Sequence, residues 1–172
     1  MFKVNSFLMK PESKVSDLND VTISPQNYFV DITDSSGLKE ISKNLDFQYL
    51  NGAICIKYYS ESLMDFRYWD LVDQLWAYLV NVIEDIALKG EGSTYFPDQP
   101  VNLILRETTE NLLLFSIEGS EVSISLLPKK EFIISLLQGA EEFFTCMTDT
   151  FRFDCDYSYQ LERIMKLKKE IE

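Results

Sequence analysis

An α+β fold is predicted for this chain: an antiparallel sheet of five or six strands, with two long amphipathic helices packed on one face and a short C-terminal helix. Three observations predict it. Short strand-like runs gather in the first sixty residues, and a long stretch from Asp65 to Lys89 then repeats apolar residues at steps of three and four. Three further strand-like runs follow with only short joins, and a second helical stretch comes after them. Strands and helices therefore do not alternate as a parallel α/β sheet requires.

Phe2 to Met9 alternates loosely and stops before Pro11, which suits a first strand. Residues 10–27 are polar and interrupted by Pro11 and Pro25. Tyr28 to Ile32 reads as a short strand closed by Asp34-Ser35-Ser36-Gly37, a capped turn. A short helix is expected over Leu38 to Leu45. Asn51-Gly52 reads as a turn leading into the strand Ala53 to Tyr59.

The clearest element is the helix expected over Asp65 to Lys89. Trp69, Val72, Trp76, Leu79, Ile83 and Ile86 form its apolar stripe, Asp65 is placed to cap it, and Gly90 follows the last turn. Glu91 to Pro100 has the composition of a loop. Val101 to Glu107, Leu112 to Glu118 and Val122 to Leu127 read as an antiparallel meander. Pro128, near the first helical position, opens a helix from Lys129 to about Met147. After a polar break, residues 157–172 read as a charged helix with a narrow stripe at Leu161, Ile164, Leu167 and Ile171, expected at the periphery of a single domain spanning residues 1–172.

The charge is the most informative global property. Among 172 residues, 28 Asp and Glu oppose 16 Lys and Arg, a net charge of −12. Residues 161–172 carry four cations against three carboxylates, so the negative excess belongs to the body and not to a tail. No basic footprint exists for direct nucleic-acid binding, and an anionic membrane surface is disfavoured for the same reason. No run of apolar residues is long enough to span a bilayer, and the N-terminus lacks the apolar core of a secretory signal. Cys55, Cys146 and Cys155 form neither a disulfide framework nor a metal motif. A soluble, cytoplasmic protein with reduced thiols is expected.

Catalytic options are few. The chain has no histidine, which removes Ser-His-Asp and Cys-His catalysis and the commonest general base. Neither a phosphate loop nor a dinucleotide fingerprint is present. Asp31 to Gly37 lacks the alternating ligands of a calcium loop. Asp149, Asp154 and Asp156 read as a solvated loop around Cys155, and Asp70, Asp73, Glu84 and Asp85 as the polar face of the long helix. No cofactor and no metal are expected.

Residues 61–98 hold eight carboxylates against Arg67 and Lys89 and end in Tyr95-Phe96-Pro97-Asp98. Aromatic anchors among acidic groups suit a basic protein partner, the rings supplying affinity and the charge supplying steering. The candidate partner-binding residues are Asp70, Asp73, Glu84, Asp85, Glu91, Tyr95, Phe96 and Asp98. The alternative is that Tyr95 and Phe96 fold back onto the sheet.

The segment Trp69-Asp70-Leu71-Val72-Asp73-Gln74-Leu75-Trp76, the downstream Phe96-Pro97-Asp98-Gln99-Pro100 and the apolar hairpin after it resemble small bacterial immunity proteins. Those belong to polymorphic-toxin and contact-dependent-inhibition systems. The resemblance spans roughly residues 65–127 and carries no diagnostic motif from which site residues could be transferred. It implies a small acidic inhibitor that neutralises a cognate protein toxin, often a basic nuclease, by binding it. A non-catalytic immunity-like or antitoxin-like protein is thus the expectation. The alternatives are a structural or assembly module whose acidity serves solubility, and a Mg²⁺-dependent carboxylate enzyme.

Overall fold

In a computed structural model, residues 1–171 are described. Glu172, the last residue of the expected C-terminal helix, lies outside them. The elements run β1 (Phe2–Met9), α1 (Leu18–Ile23), β2 (Phe29–Asp31), α2 (Ser35–Ile41), β3 (Asn51–Tyr58), β4 (Glu61–Met64), β5 (Asp70–Leu71), α3 (Val72–Lys89), β6 (Glu91–Tyr95), β7 (Asn102–Thr109), β8 (Leu112–Glu118), β9 (Val122–Pro128), α4 (Lys129–Thr150) and α5 (Ser158–Ile171). The chain is α+β with antiparallel pairing throughout, as its element order predicts.

The strands do not form one sheet. They divide into a five-stranded sheet in the order β2-β1-β3-β4, with β5 also paired to β3, and a four-stranded sheet in the order β6-β7-β8-β9. The division follows from strands that carry little sequence signal. β4 and β5 are four and two residues long. β6 reads EGSTY, a loop by composition, yet Glu91 to Tyr95 pair with Arg106 to Asn102. Asn51-Gly52 is likewise not a turn but the start of β3.

The long helix begins at Val72, not Asp65. Asp65 caps a single 3-10 turn over Phe66–Tyr68 by accepting from the Arg67 N–H, and β5 intervenes before the helix. Trp69 fits the helical spacing by coincidence. It packs with Phe7, Phe66 and Phe29 in a small second cluster on the face of the first sheet away from the main core. α3 ends where Gly90 turns the chain at φ 76°, a left-handed conformation that glycine adopts without a Cβ clash. The polar N-terminal stretch holds α1, capped by Asp17, and α2 starts earlier than expected because Asp34 accepts from the Ser36 and Gly37 N–H groups. Pro128 is the cap of α4 as well as the last residue of β9.

One main core joins both sheets to the helices. Leu8, Ile54 and Ile56 of the first sheet and Leu103, Leu105, Leu113, Phe115 and Ile117 of the second meet Trp76, Leu79, Ile83, Phe132, Phe143 and Phe144. Trp76 is fully buried and its ring N–H donates to Ser6 Oγ at 2.9 Å, so the one polar atom of this side chain is satisfied by β1. α5 is docked rather than loose. Ile164 and Leu167 are buried, Arg163 reaches Glu84 at 2.6 Å on α3, and Lys168 reaches Glu141 at 2.5 Å on α4.

Candidate functional site

The carboxylate of Asp70 is not on any helix surface. It is 1% exposed and accepts from the backbone N–H of Leu71 at 2.6 Å, of Asp98 at 3.0 Å and of Gln99 at 2.9 Å. The Gln99 amide donates to the Trp69 carbonyl, and Phe96 is buried with its ring 6.3 Å from that of Tyr68. The two segments that suggested a recognition surface, Trp69-Asp70 and Phe96 to Gln99, therefore recognise each other. A polar loop between two strands leaves backbone donors without ladder partners, and a buried carboxylate meets them. Asp70 and Phe96 are structural and cannot present themselves to a partner.

Most of the other expected site residues are engaged internally. Asp73 is half-buried and accepts from the Tyr157 hydroxyl at 2.9 Å. Burial pushes its carboxyl above the ordinary carboxylate range, and the bond from Tyr157 pulls the other way. The Tyr157 hydroxyl is pushed far up by its own burial and by the charge of Asp73. Glu84 is held by Arg163, Asp85 by Lys89 at 2.7 Å, and Glu91 by Arg106 at 3.2 Å. Tyr95, 70% exposed, and the exposed Asp98 remain open to solvent.

Tyr95 leads to a surface that the sequence does not announce. Strand pairing places side chains of Cα partners on the same side of a sheet, and the register puts Tyr95 beside Asn102, Asn102 beside Glu118, and Glu118 beside Val122. Ile104 and Ile124 flank Ser116 on the same side, and Leu114 lies beside Leu126. Val122, Ile124 and Leu126 are 64%, 63% and 57% exposed, while Ile104 and Leu114 are half-buried among them. The outer face of the second sheet thus carries an exposed apolar row along β9 with Ile104 and Leu114 beside it, interspersed with Ser93, Asn102, Ser116 and the Glu91–Arg106 ion pair. Exposed Glu118 and Glu121 border it at one end, and Asp98 follows Tyr95 in the chain.

Two polar atoms on this face have no partner among the described residues. Asn102 Oδ1 and Ser116 Oγ are both buried by their neighbours and make no hydrogen bond. Buried polar atoms of that kind are scarce in folded proteins. The alternate positions of β9, Ser123, Ser125 and Leu127, face inward opposite Ile117, Phe115 and Leu113. Ser125 lies opposite Phe115, whose ring fills the inner face, and its hydroxyl donates to Glu61 Oε1 at 2.9 Å. Periodicity alone cannot separate inside from outside here, since Leu127 on the inner face is as apolar as Leu126 on the outer one.

Little chemistry is in evidence elsewhere. Among the described residues, no three His, Cys, Asp or Glu side chains come together as a metal site, and no helix is long and apolar enough to cross a membrane. Burial pushes the Cys55 thiol up to about 12 and the Cys155 thiol up to about 11, far from the thiolate needed for nucleophilic attack. No protein-family model, no curated protein and no solved structure matches this chain.

Proposed function

We propose that this chain is a non-catalytic acidic binding protein of the immunity type, which inhibits a basic protein toxin by covering it with the outer face of β6–β9. The observation that carries the reading is that face itself: exposed Tyr95, Val122, Ile124 and Leu126, with Ile104 and Leu114 half-buried among them, on a body of net charge −12. An apolar centre excludes water and supplies affinity, while the surrounding charge steers a cationic partner and raises the rate of encounter.

The experiment begins from a partner captured out of the native cell and then purified. The partner is expected to be basic. Ile124→Glu is expected to weaken binding by more than about tenfold with an unchanged Tm, and Tyr95→Ala to speed dissociation. Raising salt from about 50 to about 500 mM shortens the Debye length from roughly 14 to roughly 4 Å and is expected to slow association more than it alters dissociation. A partner that is acidic, or that ignores Ile124→Glu, sinks this reading. An assembly role is favoured instead if the chain alone sediments as a dimer that Ile124→Glu dissociates.

A further inference from the structure

The first sheet has a cavity of its own, on the face turned away from the main core. It holds about 620 Å³ and is bounded by Phe7 and Phe66, Asn5 and Ser62, and two lysines, Lys3 and Lys57. The lysines are directly opposite each other across β1 and β3. Like charges in that relation repel, so such a pair is normally avoided or relieved by a carboxylate. In a chain where acidic residues far outnumber basic ones, neither lysine has an ion-pair partner among the described residues. The one carboxylate lining the cavity, Asp65, is already gripped by the Arg67 guanidinium at 3.0 Å.

A second, independent oddity borders the same space. Tyr59, in the turn from β3 to β4, has φ 53°. That left-handed conformation suits glycine or asparagine and is strained for an aromatic residue. Its ring is 72% exposed and lines the cavity. The ring meets Tyr58 edge-on at 4.8 Å between centroids, and its exposed remainder is open to a ligand in the cavity.

We propose that this cavity binds a small organic anion carrying a flat apolar group, with the charge between Lys3 and Lys57 and the flat group against Tyr59 and Phe7. Lys3 and Lys57 are exposed at opposed strand positions, from which both ammonium groups can reach one anion, and the volume fits a small-molecule site. Asn5 and Ser62 supply donors beside the lysines. The site is on a different sheet from the proposed docking face and does not depend on it.

The test uses the full chain and two fluorescent probes, anionic anilinonaphthalene sulfonate and neutral phenylnaphthylamine. The anionic probe is expected to bind at one site, and the double variant Lys3→Gln/Lys57→Gln to weaken it by about tenfold or more. The same variant is expected to change binding of the neutral probe by less than about twofold. Tyr59→Gly is expected to keep or raise the Tm yet weaken both probes. Benzoate and inorganic phosphate serve as competitors, and the one that displaces the probe identifies a carboxylate or a phosphomonoester as the natural head group. Equal binding of the anionic probe by the wild type and the double variant, or displacement by neither competitor at about 10 mM, overturns the proposal.

Discussion

The carboxylate of Asp70 takes up three backbone N–H groups where β5 meets the loop after β6, while burial outweighs the donors of Asp73, three residues on, which are the Tyr157 hydroxyl and the backbone N–H groups of Asp73 and Gln74. Substitutions at the two are therefore expected to act in opposite directions. Asp70→Ala strands several buried donors at once and is expected to cost about 3 kcal/mol in urea unfolding. A loss below about 1 kcal/mol would mean that the loop is held by something else. Asp73 is a carboxyl that burial holds above its ordinary 3.8, so it binds a proton more tightly in the folded state than in the unfolded chain. Its contribution to stability is fullest below that ordinary value and is lost as pH rises through the folded one. Asp73→Asn is expected to raise the Tm at pH 7, with the gain shrinking as pH falls toward 4. A gain that grew with acid would reverse the assignment. In the sequence both residues look like surface charge, because composition reports that a carboxylate is present and not which backbone groups converge on it.

α4 crosses β1 at Gly139, where a Cβ would sit 2.5 Å from Val4 Cγ1 and 3.1 Å from the Trp76 ring. A mid-helix glycine costs about 1 kcal/mol against alanine, so its presence marks a close approach and not a break. Gly139→Ala is expected to destabilise by about 1–3 kcal/mol despite better helix propensity. Adding Val4→Ala should recover part of that loss, and a double-mutant cycle should show coupling above about 0.5 kcal/mol. Strict additivity would place the crossing elsewhere. This is also the scale at which the sequence was most legible. The stripes Val72-Trp76-Leu79-Ile83-Ile86 and Ile133-Leu136-Ala140-Phe143 mark α3 and α4, because burial on one side imposes a helical period. β6 was hidden: its glycine lets the strand lie against the Val82 carbonyl of α3, and that need is set by the neighbour. The outward row of β9 was hidden as well, since the side it takes is set by pairing across the strands, where Ser125 lies opposite Phe115.

At the scale of the molecule, class and strand direction followed from element order, whereas the division into two sheets depended on β4, β5 and β6, which are too short or too polar to register. The two sheets also differ in how far along the chain their strands must reach. β6 to β9 pair only with sequence neighbours. β1 must find β3 across the whole of α1, β2 and α2, and the bond from Trp76 to Ser6 spans 70 residues. Closing a long loop costs entropy before any contact rewards it. Sequence distance is thereby converted into time. The meander is expected to assemble first, with Leu113→Ala mainly slowing folding and Val4→Ala mainly hastening unfolding in stopped-flow measurements. The reverse pattern would make β1 the nucleus. With the meander leading, the folding chain carries an unpaired β3 edge for as long as β1 is away, open to the same strand of another copy.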